Sequence, residues 1–312
     1  MRTVDRSAVV GPRARIRAYG QLGKVKLVDI WLGPLLAWSL AAGTGHGGGR
    51  TAALCLLFVA VVAASMFASH AFDDLTGFRD GSDLRNYAPE RRRSQVKPLV
   101  QGTLTERDAV RFGVSSCLAA LVLLAVFCAV ADFHPWWLVP AGIATVVLGA
   151  QYSGGISFSY RVFGGGEALT GITLAATVLL PHTAAVGRVE SAGVIEAVLF
   201  GCWLVIVLAA SNGADAEDDR RVGRRTVAAS VPPAVNRAFM AVLVVGSWLL
   251  ALGASLAGVL GPWVPLGLLP AWVLQGIVLR NGLRGQWRNR RNYGFLAVRL
   301  GILGLVVANV LG

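Results

Sequence analysis

Charge is scarce in this sequence. Asp, Glu, Lys and Arg supply only 15% of its 312 residues, against 55% hydrophobic residues and a mean hydropathy of +0.61. Those figures exclude a soluble globular domain and indicate a polytopic helical membrane protein. Cysteine is rare as well. Cys55, Cys117, Cys128 and Cys202 all fall in apolar runs without metal-ligand spacing, so they read as packing residues rather than a disulfide framework. Strict alternation of polar and apolar residues is missing from those runs, which excludes a transmembrane barrel. The first 23 residues carry five arginines and no apolar core, so no cleavable signal peptide is expected there.

Long apolar runs are what the chain has in abundance. Nine of them span or nearly span a bilayer, at about 27–45, 51–72, 109–132, 135–153, 163–182, 191–212, 235–260, 262–280 and 293–312. The expected plan is a basic tail at 1–23 and one transmembrane domain at 24–312. That domain divides into two four-helix-like units, about 27–153 and 163–280, plus a last helix at 293–312. A net charge of +12 raises nucleic acid as a partner, but the distribution of charge argues against it. All but Arg50 and Arg188 of the 29 Lys and Arg residues lie in alternate loops. The positive-inside rule then puts the N-terminus in the cytoplasm and the C-terminus outside, in the cell membrane. Membrane lipid is the expected surrounding, and the basic loop 279–294 is suited to anionic headgroups.

The stretch from Ser69 to Gly102 organises the rest. The second span ends there in Asp73, Asp74, Asp80 and Asp83, followed by Arg85, Arg91, Arg92, Arg93 and Lys97. Carboxylates at a bilayer edge are costly and mark function. Oxygen-only ligands suit a hard cation such as Mg²⁺, which shares its remaining sites with water and phosphate. Acid and base together point to a metal-bridged diphosphate. Gly77 and Gly81 are expected to interrupt the helix, leaving Asp74 at its end and Asp80 in the loop beyond.

A second acidic stretch closes the sixth span. Asp215 and Asp219, four apart, share a helix face, while Glu217 and Asp218 point to solvent. Arg220, Arg221, Arg224 and Arg225 follow, with Gly223 breaking the helix. Four spans separate the two stretches, so both lie on one membrane side, as in a weak internal duplication. Between them Tyr152, Ser153, Ser157, Ser159, Tyr160 and Arg161 gather before Gly164, Gly165, Gly166 and Glu167. Arg161 offers a fork suited to phosphate. Elsewhere, Asp29 reads as a solvated helix-end carboxylate beside Lys24 and Lys26, and Arg299 as a snorkelling residue.

Taken in order, these motifs resemble those of the UbiA superfamily of intramembrane prenyltransferases, across about residues 25–300. The matching residues are Asp74, Asp80, Lys97, Pro98, Leu99 and Gly102, then Tyr152, Ser153, Tyr160, Arg161, Gly164, Gly166 and Glu167. Asn212, Asp215, Asp219, Gly223 and Thr226 complete them. The Asn-Asp pair that opens the family's first motif stands here as His70-Ala71, with Asp73 as a partial substitute. The resemblance implies an all-α bundle of about nine transmembrane helices around an apolar chamber open to the cytoplasm. It further implies Mg²⁺ held by Asp74, Asp80, Asp215 and Asp219 against an isoprenyl diphosphate. Lys97, Arg161, Tyr160, Asn212, Arg225 and His70 are then expected to contact the substrate. Tyr152, with Tyr160 and Phe72, would offer an aromatic face to an allylic cation.

Transfer of the prenyl group to an aromatic or lipid acceptor is the leading expectation. Cyclisation of the substrate on itself, an activity of some UbiA relatives, is the alternative, and the His70-Ala71 pair favours it. A transporter is a third reading; it predicts polar groups at the bilayer midplane, whereas the acids here gather at one face.

Overall fold

The computed structural model describes residues 11–86, 97–287 and 291–311, which are helical with no strand among them. Arg91, Arg92 and Arg93 lie outside the described residues. The helices are α1 (Pro12–Leu22), α2 (Gly33–Gly43, preceded by a 3₁₀ turn at Val28–Leu32), α3 (Gly49–Arg79), α4 (Ser82–Asn86) and α5 (Glu106–Val130). They continue as α6 (Leu138–Ala150), α7 (Phe158–Arg161), α8 (Gly165–Val186), α9 (Ser191–Arg221) and α10 (Val227–Ser230). The last three are α11 (Pro233–Leu256), α12 (Val264–Leu283) and α13 (Arg291–Leu311).

Seven of these, α3, α5, α8, α9, α11, α12 and α13, are long and apolar enough to cross a membrane. The first and fourth expected spans are shorter apolar helices, at 28–43 and at α6. With 13 residues, α6 reaches only about 20 Å at 1.5 Å per residue, short of a hydrocarbon core of about 30 Å. Of the nine expected segments, seven are thus long helices and two are shorter apolar helices packed among them.

In lipid, helices associate by close packing rather than by hydrophobic force, so small residues mark the crossings. A Cβ built on Gly304 of α13 would lie 2.2 Å from the Gly267 carbonyl of α12, and one on Gly201 of α9 would lie 2.5 Å from the Gly171 carbonyl of α8. The main core fills the bundle with Phe58, Phe127, Phe200, Trp203, Leu268 and their neighbours. A smaller, separate cluster sits at the basic end. There Ala18 and Leu22 of α1 pack with Ala71, Leu75, Leu99, Leu104 and Ala109. The basic stretch expected as a tail is thus, from Pro12, a helix docked on the bundle.

Asp29 is not solvated. It is 1% exposed, and Arg299 of α13 grips it with two donors, Nε to Oδ1 at 2.5 Å and Nη2 to Oδ2 at 2.9 Å. Arg299 clamps the 3₁₀ turn to the last helix instead of only snorkelling. A buried carboxylate demands such a partner. At the other end of the bundle, Asn309 of α13 donates to Ser39 Oγ (3.3 Å) and to Glu196 Oε2 (3.2 Å). His182, fully buried, stands there 3.6 Å from Glu190.

Candidate active site at the basic end of the bundle

Both acidic stretches sit at the ends of long helices that run into the basic end. α3 does not break at Gly77, as the glycines predict; it continues to Arg79 and Asp80 caps it. Gly77 serves a different purpose, because a Cβ there would lie 2.9 Å from Asp83 Cγ. Its absence lets α4 fold back and bring Asp83 against α3. Asp80 Oδ1 accepts from the Ser82 backbone N–H at 2.7 Å, which starts α4.

The segment after the undescribed residues 87–96 returns Lys97 to this place. Pro98's carbonyl accepts from Thr103 and Leu104, forming a compact turn with Leu99 in the small apolar cluster. Lys97 Nζ donates to Asp74 Oδ1 at 2.6 Å and lies 3.0 Å from Asp83 Oδ2. Burial pushes the Asp83 carboxyl up to about 6; Lys97 opposes the shift, while Asp74 and Asp73 add to it. A second cation, Lys24, stands 3.3 Å from both Asp73 Oδ2 and Asp74 Oδ1.

The middle stretch joins in through its hydroxyls. Ser153 Oγ donates to Asp73 Oδ1 at 2.9 Å, and Tyr160 donates to Asp80 Oδ2 at 2.5 Å. Burial, helped by Asp80, raises the Tyr160 phenol above its ordinary range despite Arg224, so the hydroxyl keeps the proton it donates. The Tyr152 ring lies against Gly166, where a Cβ would come within 3.1 Å of it. That glycine is room for an aromatic face.

The second acidic stretch closes the site. α9 runs on to Arg221, keeping Asp215 and Asp219 on adjacent turns of one face. The loop beyond is pinned by backbone bonds, Arg225 N–H to the Ser159 carbonyl (2.8 Å) and Gly164 N–H to the Arg225 carbonyl (2.9 Å). That pinning decides which arginine enters. Arg225 and Arg161, both expected at the substrate, are exposed. Arg224 turns inward, donating to Asp73 Oδ1 at 2.7 Å and to the Tyr160 hydroxyl at 2.9 Å. Its guanidinium also lies 5.1 Å from the centre of the Tyr160 ring. One side chain therefore ties together two stretches 151 residues apart in sequence.

Asn212, also expected at the substrate, is buried in a supporting role. It donates to Glu167 Oε1 at 2.8 Å, and the same oxygen accepts from the Val227 N–H at 3.0 Å. Thr226 caps α10 and faces Asp219 Oδ2 at 3.4 Å. His70 lies one turn before Asp73 and Asp74 on α3. Deeper in the bundle, Phe58, Val61, Val62, Met66, Val146 and Leu174 line a narrow apolar cavity between α3, α6 and α8. Sequence reasoning missed Arg224, Lys24 and Asp83 as members of the site. The aspartate run signalled Asp83, but no spacing marked one arginine among four.

The chemistry of the donor set fits Mg²⁺. Asp73, Asp74 and Asp83 pair with Lys24, Lys97 and Arg224, while the Tyr160 hydroxyl meets Asp80 and the Thr226 hydroxyl meets Asp219, one turn of α9 beyond Asp215. Excess negative charge on oxygen ligands alone suits a hard divalent cation. Among the described residues no three His, Cys, Asp or Glu side chains gather closely enough to hold a metal by themselves. Mg²⁺ bound through one or two carboxylates, with phosphate and water supplying the rest, needs no such cage.

A helical membrane bundle with two converging aspartate stretches at one end defines the class: an integral membrane protein with an acidic site beneath an apolar cavity. The chain belongs to the UbiA prenyltransferase family, whose profile matches residues 31–299. No curated protein matches it in sequence. Among solved structures it is similar to one described as digeranylgeranylglyceryl phosphate synthase in membranes, at 14% identity and a TM-score of 0.67, covering 96% of this chain and 99% of that one. A UbiA homolog from Aeropyrum pernix K1 gives 16% identity and a TM-score of 0.64, over 94% of this chain and 98% of that one. A UbiA homolog from Archaeoglobus fulgidus, bound to DMAPP and Mg²⁺, gives 15% identity and 0.60, over 94% and 98%. At such identities the likeness is one of fold.

Proposed function

We propose that this protein is a Mg²⁺-dependent intramembrane prenyltransferase, which ionises an isoprenyl diphosphate and passes the prenyl group to an aromatic or lipid acceptor. The carrying observation is the bridge from Arg224 to Asp73 and Tyr160, which brings the two acidic stretches to one place. Family membership and the Mg²⁺ and DMAPP in the Archaeoglobus homolog support the same reading.

In this reading Asp74, Asp80, Asp215 and Asp219 would hold Mg²⁺ from the two sides of the site, one or two carboxylates to an ion, with diphosphate and water supplying the remaining ligands. Mg²⁺, when bound, neutralises charge that develops on the departing diphosphate. Lys97 and Arg224 point donors at the same region and stabilise that charge without reorganising. The apolar side chains of Phe58, Val61 and Met66, deeper along α3 than the aspartates, would part to line the path of the prenyl chain and keep water from the allylic cation. Tyr152 and Tyr160 face the cation as π-systems. The basic end, where these groups lie, faces the cytoplasm.

One observation favours a second reading, cyclisation. His70-Ala71 stands where the family carries Asn-Asp. Purified protein incubated with Mg²⁺ and prenyl diphosphates, with and without aromatic and lipid acceptors, tests both. Transfer predicts diphosphate release coupled to a prenylated acceptor. A cyclic hydrocarbon or alcohol formed without acceptor would replace transfer with cyclisation, and solute flux without Mg²⁺-dependent chemistry would revive a transporter.

A further inference from the structure

We infer that Lys24, delivered by the docked helix α1, is a diphosphate-binding residue of this site. The inference rests on the reading of the site given above and adds a residue from an element that contributes no aspartate to it. Lys24 lies just beyond the end of α1, at φ 51°, in the left-handed region that a lysine rarely adopts. Such an outlier persists only where the surroundings over-determine it. Here the turn is held by Lys24 N–H to the Gln21 carbonyl, Val25 N–H to the Gly20 carbonyl and Leu27 N–H to the Lys24 carbonyl, each at 2.9–3.1 Å. The ammonium is thereby carried to 3.3 Å from both Asp73 and Asp74.

The docking of α1 is equally specific. Leu22 is fully buried, and Tyr19 packs on Phe112 of α5 with ring centres 5.3 Å apart. Arg15 Nη2 pairs with Asp108 Oδ1 at 2.7 Å, on the residue that closes the capping box of α5 with Thr105. These contacts form the small cluster that also holds Leu99 and Leu104 beside Lys97, and that cluster is separate from the main core. Lys24 and Lys97 are thus brought to Asp74 by two segments resting on one shared apolar patch. The lysine side chains flank one carboxylate from two directions, at 3.3 and 2.6 Å. A diphosphate entering over Asp74 meets both.

The test is calorimetric binding of inorganic pyrophosphate with Mg²⁺ to the full chain in detergent. Lys24→Gln should weaken that binding by about tenfold or more, the loss of one charge-assisted hydrogen bond. Lys24→Arg should restore most of it. Leu22→Ala, which loosens the docking of α1, should weaken binding in the same direction, and the double variant should lose little beyond Lys24→Gln alone. If Lys24 only neutralises the carboxylates, Lys24→Gln will leave binding unchanged or tighten it through better access for Mg²⁺, and the inference falls. Losses that add in full for Leu22→Ala and Lys24→Gln would overturn delivery by α1. Wild-type protein that neither binds Mg²⁺–pyrophosphate nor releases diphosphate sinks the reading of the site itself, a failure distinct from wild-type binding that Lys24→Gln does not touch.

Discussion

The two ends of the bundle both bury carboxylates, and they treat the charge in opposite ways. At the basic end, Asp73, Asp74 and Asp83 sit within reach of Lys24, Lys97 and Arg224, in a web of charged partners drawn from five separate segments. At the far end, fully buried Glu196 is met by the Asn309 amide and by no cation among the described residues. His182 there has both ring nitrogens buried without a hydrogen-bond partner. Matched charge around an excess of carboxylate makes a place for a charged ligand. Neutral partners around a lone acid make a packing contact between α2, α9 and α13.

That contrast breaks most sharply under substitution of the carboxylates. Asp74→Ala or Asp215→Ala should abolish Mg²⁺-dependent diphosphate release, a loss beyond about 100-fold, in protein that remains folded in detergent. Near-normal turnover in either variant would undo the metal assignment. Arg224→Ala comes next. It removes the bridge between the stretches and leaves Asp73 without its guanidinium, so thermal unfolding should register a loss approaching 3 kcal/mol. The figure stays at the lower end for a broken buried pair because both partners keep 18–19% exposure. Arg224→Lys should not restore activity, since one ammonium cannot serve Asp73 and Tyr160 together.

How much of this was legible in the sequence follows from the kind of signal each residue carries. Asp74, Asp215 and Asp219 announce themselves, because a carboxylate at the end of an apolar run is too costly to be kept without a use. Their convergence was expected from the even number of intervening spans. The choice of Arg224 over Arg225 and Arg161 was not legible, since it depends on two backbone hydrogen bonds that turn the loop. Nor was the pairing of Asp29 with Arg299, 270 residues away. Asp29 had nearer lysines in sequence, but Lys24 is committed to Asp73 and Asp74 by the left-handed turn after α1. The two short helices were legible as apolar runs but not as short ones, because hydropathy measures apolarity well and helix ends poorly.

Smaller effects sharpen the comparison. Arg299→Ala leaves Asp29 buried and uncompensated, and should lower stability by about 2 kcal/mol, less than a fully buried pair because the guanidinium is half exposed. Gly166→Ala should push the Tyr152 ring from its place and reduce turnover several-fold, with an overpacking penalty of about 1 kcal/mol in thermal stability. At the far end, Glu196→Gln keeps the shape and the Asn309 contact, so diphosphate release should be unchanged and stability should move by less than about 1 kcal/mol. A large loss of activity in Glu196→Gln would mean that the far end takes part in the chemistry.

The most direct measurement is an experimental structure of the chain with Mg²⁺ and an unreactive prenyl thiodiphosphate. The account predicts metal and diphosphate density between Asp74 and Asp215, in contact with Lys97 and Arg224, and a prenyl chain running toward Met66. Diphosphate bound to one aspartate stretch alone, or lodged at the far end beside Glu196, would contradict it.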